Sequence, residues 1–135
     1  MARVKISLVD AATTDGETIA GYYTLSQYAI QLDGVPDAIA KKLPNDPMVS
    51  ATLLGRLAVS TEFRGQRVGA TLLMDALHRS LRLSKQAAST GVFVNAKDDA
   101  AVSFYRKYGF LDLPRVERRF FLPMGTVEQL FPEGR

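Results

Sequence analysis

The chain has 135 residues, 47% of them hydrophobic and 23% charged, with a formal net charge of +3. That is the length of one domain and enough to bury a core, so residues 1–135 read as a single domain. With no cysteine and one histidine, His78, disulfides, thiolate zinc, cysteine nucleophiles and histidine metal clusters are excluded, and no metal is expected.

No apolar run approaches the roughly 18 residues of a membrane helix. The N-terminus alternates charged with apolar residues, unlike a signal peptide. A cytoplasmic protein without a membrane partner is the expectation. Residues 1–55 carry a net charge of −2 and residues 56–135 a net of +5. A basic second half suits an anionic partner such as a nucleotide or nucleic acid, and equally an ordinary solvated surface.

Val4, Ile6 and Leu8 alternate with polar residues over 3–9, the period of a half-buried strand. Asp15-Gly16 signals a turn, and the β-branched and aromatic stretch 17–30 reads as the hairpin partner. Pro36 opens a short helix over 37–42, which Leu43-Pro44 stops. The apolar run 49–59 reads as a buried strand with a bulge at Gly55.

From Arg67 the period changes. Val68, Leu72, Leu73, Ala76, Leu77 and Leu81 recur at three and four, an amphipathic helix ending near Lys85. Residues 91–95 form a short strand. Asp98 and Asp99 start another helix, which runs to Lys107 or Tyr108 and ends at Gly109. Phe110-Leu111 enters a strand, 115–122 is the last strand, and 126–130 reads as a short turn. This order implies a three-layer α/β domain with a mixed sheet and helices on both faces. Strands 49–59 and 91–95, joined by the long helix, are expected to be parallel with a right-handed crossover.

The segment Arg64-Gly65-Gln66-Arg67-Val68-Gly69 leads from a buried strand directly into a helix. Such a turn gathers backbone N–H groups in one concavity, and the helix N-terminus adds partial positive charge. Phosphate binding is the chemistry implied, beside the plainer reading of a strand–turn–helix with a capping glycine. The loop is neither a Walker A sequence nor a dinucleotide fingerprint.

Followed by Ala101, Phe104-Tyr105-Arg106-Lys107-Tyr108-Gly109-Phe110, this loop resembles the GNAT family of acetyl-CoA-dependent N-acetyltransferases. The first segment is similar to the family's [QR]-x-x-G-x-[GA] loop and the second to its A-x-x-[FL]-Y-x-x-x-G-F helix. Gly21-Tyr22-Tyr23-Thr24-Leu25-Ser26, then Leu43-Pro44 and Leu53-Leu54-Gly55-Arg56-Leu57-Ala58-Val59, resemble the GNAT toxins of toxin–antitoxin pairs. That resemblance implies acetylation of the amino group of aminoacyl-tRNA, a block of translation, and a ribbon-helix-helix antitoxin as partner. The alternatives are a GNAT enzyme for another amine, and a non-catalytic module that binds acetyl-CoA or an antitoxin.

The resemblance also implies roles. Ala58 and Val59 end the strand that pairs with pantetheine through main-chain groups, and a backbone N–H there faces the thioester oxygen. Arg64, Gly65, Gln66, Arg67, Val68 and Gly69 match the pyrophosphate loop. Tyr105 matches the tyrosine that protonates the departing thiolate, and Tyr108, three residues on, is its rival on the same helix face. Asp98 stands where many members have an asparagine near pantetheine, and Arg67 where they have glycine. No residue is placed as a general base.

The family begins with a strand and one or two helices before its first hairpin, whereas here the hairpin starts at residue 3. The expectation is a homodimer that covers the exposed apolar surface, or a reading frame that starts further upstream. Arg79, Arg82, Lys85, Arg106, Lys107, Arg115, Arg118 and Arg119 read as an RNA-facing set, or as solvated charge.

Overall fold

In the computed structural model, residues 7–13, 19–31, 48–87, 89–113 and 117–132 are described. They form strands β1 (Ser7–Thr13), β2 (Ile19–Gln31), β3 (Met48–Val59), β4 (Gly91–Asn95), β5 (Leu111–Asp112) and β6 (Arg119–Pro123). Helix α1 (Val68–Ala87) follows β3, α2 (Asp99–Lys107) follows β4, and α3 (Met124–Leu130) follows β6. The helix expected over 37–42 lies outside the described residues.

One six-stranded sheet has the order β1-β2-β3-β4-β6-β5. β1, β2 and β3 are antiparallel, and β3 and β4 are parallel. The parallel pair is joined through α1, as its sequence spacing requires. β6 pairs antiparallel with both β4 and β5. The expected α/β class with a mixed sheet is therefore the observed one.

Gly55 is a bulge. Thr24 pairs with Arg56 and Leu25 with Leu54, so Gly55 has no partner on β2. A Cβ at this position would sit 2.8 Å from Thr24 Oγ1, so any larger residue would push the threonine hydroxyl aside. The extra residue resets the alternation of β3. Leu54 precedes it and Leu57 and Val59 follow it, yet all three pack into the same core.

That core holds Tyr23 and Leu25 of β2, Val92 and Val94 of β4, and Leu72, Leu73, Ala76, Leu77 and Leu81 of α1. The α1 residues form the stripe read from the sequence, with Val68 packed at its edge. Tyr105 of α2 and Val127 of α3 join the same cluster. The opposite face carries a smaller one of Ala51, Phe93, Leu113 and Phe121. Among the described residues, all three helices contribute to the first cluster.

Local boundaries moved for physical reasons. Of the strand expected over 115–122, residues 115 and 116 lie outside the described residues; Glu117 and Arg118 form a turn in which Arg118 adopts a φ of 61°, and β6 starts at Arg119. The tail over 126–130 is part of α3 rather than a free turn, since Val127 is fully buried in the core. His78 stacks on Phe131 at 4.7 Å, which fixes the end of α3 against α1. Leu73 is 0% exposed at the centre of the stripe. We expect Leu73→Ala to cost about 2 to 5 kcal/mol, measured by urea unfolding with an unchanged m-value.

Candidate active site

The site begins where sheet pairing stops. β3 and β4 are in register only at Thr52↔Val92, Leu53↔Phe93 and Leu54↔Val94. β3 continues past Gly55 to Val59 with β2 alone on one side. Its other edge, from Arg56 to Val59, has no β4 partner. Backbone N–H and C=O groups there need hydrogen-bond partners, and an extended amide-containing arm laid along the edge supplies them.

A cavity of about 330 Å³ occupies this opening. Leu54, Gly55, Arg56, Leu57 and Ala58 of β3 line one side. Asn95, Lys97, Ala101 and Tyr105 line the other, and Tyr22 closes the rim. A second cavity, of about 600 Å³, lies at the start of α1. Val59, Arg64, Gly65, Arg67, Val68 and Gly69 contribute to it, together with Phe63, Ala70, Phe104, Lys107 and Tyr108. Adjacent residues serve both: Ala58 and Val59 on β3, Phe104 and Tyr105 on α2. The two cavities thus follow each other around the end of β3.

The loop into α1 is built by unusual backbone angles. Ser60 N–H donates to Ala20 C=O at 2.8 Å, and one 3₁₀ turn, Thr61–Phe63, follows. Gly65 has a φ of 83° and Arg67 a φ of 61°. Two left-handed residues so close to a helix start turn successive N–H groups inward, a geometry that favours anions. The charged side chains that line this cavity are Arg64, Arg67 and Lys107, all cationic. A diphosphate fits this lining. Gly69 is not demanded by packing, since a Cβ there would stand 3.6 Å from Val59 Cγ2, an ordinary contact. Its lack of a side chain leaves the cavity wall open.

Tyr105 is 7% exposed and held edge-on by Phe104 and Phe110, each at 5.3 Å. Its carbonyl accepts from Tyr108 and Phe110 N–H, closing the helix over Gly109. Burial pushes its phenol up to about 12, so it holds its proton at neutral pH. Tyr108, its rival by spacing, lines the phosphate-side cavity instead.

Asp98 caps α2: its Oδ1 accepts from Ala101 N–H at 2.9 Å. Capping needs only an acceptor, so aspartate does here what asparagine would. Asp98 and Gln66 line neither cavity, whereas the other residues singled out for the coenzyme do. Of the arginines read as RNA-facing, Arg118 pairs with Asp99 at 2.9 Å and Arg106 holds Asp112 through two nitrogens. Arg119 Nε donates to Asn95 Oδ1 at 2.8 Å. Lys107, read from the sequence as RNA-facing, lines the phosphate-side cavity, and Tyr22 and Arg56, quoted only for the toxin resemblance, line the other. Phe63 and Ala70 in the first cavity, and Asn95 and Lys97 in the second, were not singled out from the sequence. They come from different strands, loops and helices, so no local spacing marks them. Among the described residues no group of acidic or histidine side chains is arranged to hold a metal ion.

A strand edge left unpaired, a helix N-terminus facing a cationic cavity and a buried tyrosine beside the opening fit a ligand with an extended amide arm and a diphosphate. The family model described as Acetyltransferase (GNAT) domain matches residues 46–121, and the chain belongs to this family of acetyltransferases. Its likeness to the GNAT toxins stands with its relatives. "Probable toxin TacT" of Sinorhizobium fredii (strain NBRC 101917 / NGR234) is 27% identical over 123 residues, 86% of this chain and 68% of the relative. The crystal structure of a tyrosine-to-phenylalanine mutant of KacT matches with a TM-score of 0.78 and 31% identity, over 84% of this chain and 67% of that one. AtaT complexed with acetyl-methionyl-tRNAfMet matches with a TM-score of 0.81 and 29% identity, over 94% of this chain and 75% of that one.

Arg67 carries both charge and backbone strain. A left-handed non-glycine residue costs roughly 1 to 2 kcal/mol. Arg67→Gly is therefore expected to hold or raise thermal stability while the KM for acetyl-CoA rises several-fold. A destabilised variant with an unchanged KM would show that Arg67 serves the fold and not the phosphates.

Proposed function

We propose that the chain transfers an acetyl group from acetyl-CoA to the amino group of an aminoacyl-tRNA, and so blocks translation. The observation that carries this reading is the opening between β3 and β4, with Tyr105 on one wall and the unpaired edge of β3 on the other. Acetyl-CoA supplies the activated acyl group as a thioester. The main chain at Ala58 and Val59 holds the pantetheine arm, and an N–H there faces the carbonyl oxygen as negative charge develops on it. Arg64, Gly65, Arg67, Val68 and Gly69 hold the diphosphate, with Gln66 inside the same loop. Asp98 holds the start of α2 and so the height of Tyr105. Tyr105 then donates its proton to the departing sulfur.

The described lining of both cavities contains no aspartate or glutamate. Such a lining suits an amine that is already largely uncharged, and the low-pKa amine of an aminoacyl ester fits this better than a polyamine. The likeness to AtaT, solved with an acetylated aminoacyl-tRNA, supports the same acceptor class. The likeness to AtaT, solved bound to the C-terminus of the antitoxin AtaR, supports an antitoxin as partner. A ribbon-helix-helix form of that antitoxin and a homodimer in the cytoplasm complete the proposed reading.

Labelled acetyl-CoA, incubated with bulk charged tRNA beside polyamines and peptide N-termini, tests the acceptor. We expect label on charged tRNA alone; label only on polyamines or peptides would overturn the assignment.

Tyr105 sets the pH behaviour. Its folded value, about 12, lies above the unfolded 10.0. Its contribution to stability is whole below pH 10 and is lost as pH climbs to about 12. Tyr105→Phe should remove that alkaline loss, lower turnover about a hundredfold and retain acetyl-CoA binding by calorimetry. Unchanged turnover would exclude Tyr105 as the acid.

A further inference from the structure

The cavity beside Tyr105 is lined by residues of both faces of the sheet. Tyr23 and Leu57, paired across β2 and β3, belong to the core under the helices. The neighbouring pairs Tyr22↔Ala58 and Thr24↔Arg56 therefore point to the opposite face. Asn95 shares that face with Phe93, and Arg119 with Phe121. Yet Tyr22, Arg56 and Asn95 line the same cavity as Leu54, Leu57 and Tyr105. Leu54, Leu57 and Tyr105 belong to the side under the helices, and Tyr22, Arg56 and Asn95 to the far face.

Two cations at this cavity have no task toward the coenzyme. Arg64, Arg67 and Lys107 already line the phosphate-side cavity. The pantetheine arm and the acetyl group are uncharged, so Arg56 and Lys97 meet no anion there. Both are exposed, and among the described residues neither has an ion-pair partner. Tyr22, half-buried, adds an aromatic face beside them. An aromatic ring flanked by cations is the composition that binds single-stranded nucleic acid, by stacking a base and neutralising phosphates. Arg119, bonded to Asn95, fixes the rim.

We infer that Tyr22, Arg56 and Lys97, at the rim of the cavity beside Tyr105, seat the single-stranded, phosphate-bearing end that carries the acceptor amine. Tyr22 stacks a base, and Arg56 and Lys97 take the phosphates. The same cations repel a polycationic acceptor. This rests on the tRNA reading above and assigns its residues.

The test compares two acceptors, an aminoacyl-tRNA and an aminoacyl ester without phosphate. The proteins are the wild type, the Arg56→Glu/Lys97→Glu double variant, its milder Arg56→Gln/Lys97→Gln counterpart, and Tyr22→Ala. In each variant kcat/KM for tRNA should fall about tenfold or more relative to the ester. The dependence of log kcat/KM on log salt should flatten by about 1.4 in the double variants and stay unchanged in Tyr22→Ala. A ratio equal to wild type, or parallel loss on both acceptors, overturns the assignment of these residues. A wild type that acetylates the ester but not tRNA overturns the tRNA reading itself.

Discussion

Parallel pairing between β3 and β4 ends at Leu54 and Val94, while β3 runs on to Val59. Neighbouring strands in a closed sheet are under about 5 Å apart and admit no ligand between them. Here the ladder has opened, and one edge of Arg56–Val59 is left without a strand. The bulge at Gly55 sits at the point of opening. It redirects the strand while returning Leu57 and Val59 to the core, so opening the sheet does not empty it. Both cavities and the placement of Tyr105 depend on this one interruption.

Rigid packing below holds the interruption open. Under the bulge, Thr52 is buried and its hydroxyl bonds to Gln27 and Ser89, while Gln27 reaches Ser50. Thr90 donates to the carbonyl of Ser50 through both its N–H and its hydroxyl. These bonds tie β2, β3 and the entry to β4 together where the parallel ladder remains closed. Above it, α1 is fixed by its apolar stripe, and the loop before α1 tolerates left-handed angles at Gly65 and Arg67. Strain of this kind persists only where surrounding structure over-determines it. The result is a set of main-chain donors in place before any ligand arrives.

Charge is partitioned in the same spirit. Asp99 and Asp112 are engaged by Arg118 and Arg106, and Asp98 by the start of α2. The described linings of the two cavities are left with cations alone. One group of cations suits the coenzyme's phosphates; the other stands where the coenzyme has no charge. The two groups of cations thus sit in two cavities, one at the start of α1 and one beside Tyr105.

Much of this was legible in the residues. The three-and-four spacing of Leu72, Leu73, Ala76, Leu77 and Leu81 made α1 and its buried face. The length of that helix made β3 and β4 parallel, and Gly55 marked the bulge. These follow from local backbone rules and from burial of one helix face, which sequence encodes directly. The motif around Phe104-Tyr105 carried the family. Spacing placed Tyr105 and Tyr108 on one helix face, and only packing separated them, one in each cavity. Spacing likewise left Arg118 a surface cation, and only the turn at Arg118 brought it to Asp99. Tyr22, Arg56 and Lys97 lie on two strands and the segment after a third, and nothing in their separation along the chain links them. Pairing register decides which way Tyr22 and Arg56 point, and register is a property of the assembled sheet.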